Sequence, residues 1–118
     1  MHNICPTEFG EALGREIAQQ SARNPNLSFR NALRDGVNGQ GFTQDQAVEA
    51  VQAALTSSRG TANVVDGPGG TRVLFGNLPP RAGTPGLIVD ADGVVHSGAL
   101  DLDIVDGEIV SNAVTYLD

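Results

Sequence analysis

The chain has no lysine and no tryptophan, one cysteine, one tyrosine and four phenylalanines in 118 residues. A single cysteine excludes an internal disulfide framework and a cysteine-rich zinc site. With so few aromatic rings, Val, Ile, Leu and Ala must fill the core, and a chain of this length has enough of them for one domain without metal or disulfide support. No apolar run reaches the ~18 residues a bilayer-spanning helix needs, and no segment reads as a secretory h-region. The expectation is a soluble chain, cytoplasmic or delivered as part of a larger secreted protein. No stretch reads as a site for a cofactor or a metal.

The missing lysine goes with an excess of acid. Net charge is −7. Residues 61–118 hold two arginines against eight acids, whereas residues 1–60 are nearly balanced. Nucleic-acid binders show the opposite bias, because phosphate contacts supply much of their affinity. The expected partner is therefore a protein, as substrate or as ligand, and not a nucleic acid or a membrane.

What is present divides into a helical half and a β half. Pro6 suits a first helical position, Glu8 lies three residues past a cap at Cys5, and Phe9, Leu13 and Ile17 recur at helical spacing until Asn24-Pro25. Gly10 and Gly14 leave one face of this helix small enough for close packing. Ser28 caps a shorter second helix holding Phe29, Leu33 and Val37. Thr43 and Gln46 form a capping box for a third, with Phe42 and Ala47 placed as a hydrophobic staple. Its stripe is Ala47, Val48, Val51, Ala54 and Leu55, and Gly60 stops it.

After Gly60 the period shortens to that of strands. Residues 63–66 and 71–75 flank Gly67-Pro68-Gly69-Gly70 as a hairpin, and residues 78–86 read as a Pro/Gly loop. Asp90-Ala91-Asp92-Gly93 reads as a turn, since the remaining ligands of a calcium loop do not follow. Asp106-Gly107 between two apolar runs is a strong two-residue hairpin signal. It pairs Val105 with Glu108, Ile104 with Ile109, Leu102 with Ser111 and Asp101 with Asn112, and places Leu102, Ile104, Ile109, Ser111 and Ala113 on an inward face. The last strand runs from Glu108 to Leu117 as a possible edge. Helices followed by strands predict an α+β domain: three N-terminal helices in residues 1–60, then an antiparallel sheet of about five to six strands in residues 61–118.

Three residues form a constellation that could carry chemistry. Cys5 stands at a helix start, where free N–H donors and the helix dipole favour a thiolate. His96 lies on a later strand and would serve as general base, then acid. Asn112 would orient the imidazole, with Asp101 and Asp103 competing for that role because they share its face. In element order this resembles the compact papain-fold toxins and deamidases of bacteria. In such proteins a Cys opens a helix, a His starts a strand, and an Asn or Asp follows. The resemblance implies a small cysteine-dependent amide hydrolase or deamidase acting on a protein.

A second reading needs none of these residues. A lone Cys is commonly a small buried hydrophobe. The acidic C-terminal half and a free edge strand would suit a non-catalytic interaction protein, such as an immunity protein, inhibitor or secretion chaperone, that binds a basic partner.

Overall fold

The computed structural model describes residues 4–67, 69–76, 81–101, 103–111 and 114–117, with backbone alone at 103, 104 and 109–111. Three helices come first: α1 (Pro6–Arg23), α2 (Phe29–Asn38) and α3 (Gln44–Arg59). The strands are β1 (Ala62–Gly67), β2 (Gly70–Phe75), β3 (Pro85–Val89), β4 (Val95–Leu100), β5 (Asp103–Val105), β6 (Glu108–Ser111) and β7 (Val114–Tyr116). The class is α+β, as expected.

Local chemistry accounts for the helix ends. Cys5 is the N-cap of α1, although its side chain makes no capping hydrogen bond. In α2 the N–H of Asn31 donates to Ser28 Oγ. The α3 capping box is complete, with Gln46 N–H donating to Thr43 Oγ1 and Thr43 N–H to Gln46 Oε1. Gly60 ends α3 at φ +89°, a left-handed conformation that costs a residue without Cβ little.

The strands differ from expectation in four ways. The main sheet has five strands in the order β1-β2-β3-β4-β7, not five to six, and β5 and β6 form a separate hairpin. The turn at Asp106-Gly107 is present, with φ +54° and +83°, and pairs Val105 with Glu108 and Ile104 with Ile109. Beyond it the register slips, so Ser111 faces Asp103 instead of Leu102. A bulge of this kind adds one residue to one strand and undoes the simple alternation assumed from sequence. Leu102, Asn112 and Ala113, with the side chains of Ile104, Ile109 and Ser111, lie outside the described residues. The expected long strand Glu108–Leu117 is two strands, because β7 leaves the hairpin to pair with β4. The segment read as a loop up to Gly86 is strand from Pro85 onward.

The molecule is layered. α1 packs on α3, α3 packs on β1, β2 and β3, and α2 packs on β4 and β3. Val51 and Leu55 of α3, Leu33 and Val37 of α2, and Val73, Leu87, Val89 and Val95 of the sheet share one buried cluster. Val95 and Ser97 of β4 face the helices, since Ser97 Oγ donates to Asn31 Oδ1 at 2.9 Å. Side chains alternate along a strand, so His96 faces away from them.

The α1–α3 seam is close because it is made of small residues. A Cβ on Gly10 would collide with the Ala50 carbonyl, and one on Gly14 would come within 2.6 Å of Ala54 O. Backbone cannot yield as a flexible side chain can. Gly10→Val should therefore force the two helices apart and destabilise by about 1–3 kcal/mol, the usual cost of overpacking. Ala12→Val, on an exposed position of the same helix, should cost only a few tenths of that through propensity. Urea unfolding of both variants checks the difference, and equal midpoints would contradict the seam.

Candidate functional site

The expected catalytic residues are dispersed across the layers. Cys5 is exposed at the start of α1, in the outermost layer. It is neither a buried hydrophobe nor joined to another side chain by any hydrogen bond among the described residues. His96 lies on β4 and points from the sheet face turned away from the helices. A thiol–imidazole hydrogen bond needs a ~3 Å contact, and none joins Cys5 to His96 among the described residues. Asp101 is exposed and accepts from Thr115 Oγ1 at 3.5 Å. Asp103 is described by backbone alone, on β5, and Asn112 lies outside the described residues.

What His96 does have is a different set of neighbours. Its Nε2 lies 3.0 Å from Asp90 Oδ2. Its ring stacks on Tyr116 with centroids 4.6 Å apart and planes 4° from parallel. Tyr116 in turn donates its hydroxyl to the Gly69 carbonyl, 3.0 Å away, which ties β7 to the tip of the β1–β2 hairpin. Arg72 shares this far face: it pairs with Ile88, and Ile88 with His96. The arginine is wholly buried, and its Nη1 donates to the Gly70 carbonyl. Burial lowers the Arg72 pKa, an effect that Tyr116 and Asp66 oppose.

Asp90 is the residue the sequence reading missed as a partner. Its Oδ1 accepts from the N–H groups of Asp92 and Val94, and so closes the turn, while Oδ2 reaches His96. Burial raises its carboxyl, but the hydrogen bonds from His96, Val94 and Asp92 outweigh that, and the pKa lies below the ordinary aspartate value. An ionised carboxylate only accepts, so His96 Nε2 carries the proton between them. The signal was present in the register. Once Val89 pairs with Val95, Asp90 and His96 fall on the same face across the turn.

A second feature lies between α1 and α3 on the outer surface. A cleft of about 470 Å³ is lined by Thr7, Glu11, Glu49, Gln52, Ala53, Thr56 and Ser57. Thr7 Oγ1 donates to Glu49 Oε1 at 2.9 Å and holds that carboxylate at the cleft. Two acids line it, and no arginine does.

Three further arginines are engaged elsewhere. Arg30 donates to the Gly98 carbonyl, Arg34 pairs with Asp35, and Arg59 lies over the ring of Phe29. No group of three or more His, Cys, Asp or Glu side chains fit to hold a metal is found among the described residues. Nor is any described helix long and apolar enough to cross a membrane.

Comparison of the chain with protein-family models, with curated proteins and with solved structures finds no match.

The Asp90–His96 contact has a pH signature. A carboxyl whose folded pKa is depressed stabilises fully above its unfolded value and loses that contribution as pH falls through the folded pKa. Asp90→Ala should destabilise by about 1–2 kcal/mol at neutral pH, the order of lost hydrogen bonds to a charged acceptor. The gap between the two proteins should narrow as pH drops below about 3.9, the ordinary aspartate value. Thermal unfolding across that range is the check, and a gap that persists unchanged in acid would refute the linkage.

Proposed function

We propose that this chain is a non-catalytic, acidic interaction protein that binds a basic protein partner. The observation that carries the reading is the α1–α3 cleft, where Glu11 and Glu49 line one space with no cation among the lining residues. A lysine or arginine side chain from a partner would find two carboxylates there, with the hydroxyls of Thr56 and Ser57 and the amide of Gln52 at hand. The field outside the cleft has the same sign, since the chain carries −7. A field of one sign speeds the encounter with an oppositely charged partner and fixes its orientation.

The cysteine-hydrolase reading requires Cys5 and His96 to meet. Its support is their order in the chain, which resembles that of papain-fold toxins and deamidases.

Two measurements separate these readings. Titration with a hexa-lysine peptide, followed by amide chemical shifts, should perturb Glu11, Glu49 and Gln52. In Glu11→Gln/Glu49→Gln the affinity should fall about tenfold, and salt should weaken it further. Shifts scattered over all the acids and indifferent to that double change would refute the cleft. Independently, the alkylation rate of Cys5 should be the same in the native protein and in His96→Ala between about pH 6 and 9. A rate lowered by the His96 change would restore the enzyme.

A further inference from the structure

The two edges of the main sheet are treated differently. At one end the terminal strand, β7, is only three residues long, and α2 covers the part of β4 that β7 leaves unpaired. Asn38 takes the place of a partner strand at Val95, where Nδ2 donates to the carbonyl (2.9 Å) and Oδ1 accepts from the N–H (2.7 Å). Further along, Leu117 N–H donates to the Ser97 carbonyl. β7 itself spans only Val114–Tyr116.

At the other end, β2 is the sole strand neighbour of β1 among the described residues. Edge strands are ordinarily blunted by charged side chains, proline, a bulge or an inward charge. β1 runs six residues, Ala-Asn-Val-Val-Asp-Gly, in unbroken register with β2 from Ala62–Phe75 to Gly67–Gly70. Of those devices it has a single charge, Asp66, near its end.

The direction of its free groups follows from the hairpin. Gly67 and Gly70 close a two-residue loop, where the closing pair exchanges both hydrogen bonds, and the pattern alternates from there. Gly67, Val65 and Asn63 therefore bond inward to β2. Ala62, Val64 and Asp66 turn their N–H and C=O groups outward. The far side of β2 agrees: the carbonyl of Val73, the residue paired with Val64, lies against Gly86 of β3.

We propose that β1 pairs antiparallel with β1 of a second copy, about a two-fold axis at Val64, to give one continuous sheet across a dimer. In that register Val64 meets Val64 of the other copy, and Ala62 meets its Asp66. All three outward residues are then matched, each pair exchanging both hydrogen bonds. Shifting the axis to Asn63 or Val65 loses one matched set. Val64 is 42 % exposed, and its side chain gains an apolar neighbour in the pair.

Charge selects the same surface and the same occupant. Two copies each carrying −7 repel over most of their surfaces, but residues 60–65 hold no charged side chain at all. The one acid of the strand, Asp66, meets alanine and not a second acid. Its carboxylate accepts from Thr71 Oγ1 within its own hairpin at 2.8 Å. A basic partner has no such reason to choose β1 over the acidic cleft, so the two surfaces take different ligands.

Sedimentation velocity on the full chain, from about 5 to 500 µM, tests the pairing, since a contact this small holds only a weak dimer. The mass should rise with concentration from 12.2 kDa toward twice that value. Added salt should favour the dimer, because it screens like charge, whereas it weakens hexa-lysine binding at the cleft. Val64→Arg places like charges directly opposite one another and should raise the dimer dissociation constant at least about tenfold. An exposed side chain at that position leaves the monomer folded, which its amide spectrum checks. Hydrogen exchange should slow with concentration at the N–H groups of Ala62, Val64 and Asp66. A chain that stays monomeric throughout would overturn the proposal. So would a dimer indifferent to Val64→Arg, or one that leaves those three amides unprotected. If they are protected only when hexa-lysine is added, the edge receives a strand from a basic partner and self-pairing is refuted.

Discussion

α3 is buried on two sides, and the rest of the molecule follows from that constraint. One side must admit α1, the other the sheet. Small residues, Ala50 and Ala54, stand where Gly10 and Gly14 of α1 press backbone against backbone. Branched residues, Val51 and Leu55, join the cluster that holds Val73, Leu87 and Val89 of the sheet. A helix filled this way cannot rotate without putting alanine where the sheet needs volume, or valine where α1 needs space. The order of layers is thereby set as α1, then α3 with α2, then the sheet.

That order governs the chemistry more than any single residue does. A cap residue of α1 is held in the outermost layer, while a side chain on the far face of the sheet looks out from the opposite side. Cys5 and His96 occupy those two places. The far face instead gathers His96, Asp90, Tyr116 and Arg72 into a linked set that joins the β3–β4 turn, β7 and the tip of the β1–β2 hairpin. The His96–Tyr116 stack and the Tyr116–Gly69 bond cross between elements distant in sequence, whereas the other two contacts are local.

The surfaces left for partners are consequences of the same packing. Close approach of α1 and α3 puts Glu11 and Glu49 on either side of a shallow cleft. α2 lies over the outer edge of β4, where its Asn38 replaces a strand at Val95. Among the described residues no comparable substitution is seen at β1, which follows α3 after two residues, Gly60 and Thr61. A strand entered so directly from a helix is placed at the margin of the sheet, with its outer groups turned away from the chain.

Local signals were enough to read the helices. The capping box at Thr43 and Gln46, the Ser28 cap, the apolar stripes and the Gly60 stop are short-range, and each acts within a turn of the residue that carries it. The two-residue hairpin loops were legible for the same reason: Gly67–Gly70 and Asp106-Gly107 bend the chain by their own backbone preferences. The order of helices before strands, and so the α+β class, came with them. Tertiary structure alone decided the rest. Whether the segment after β6 continues its hairpin or crosses to β4 depends on which free edge is available, and no residue in it encodes that choice. The slip at Asp103 depends on a bulge that periodicity does not foresee. The neighbours of His96 depend on register and on layer order, which arise from α3 being filled on both sides. Element order along the chain brought Cys5, His96 and Asn112 to notice, but only the fold sets His96 beside Asp90.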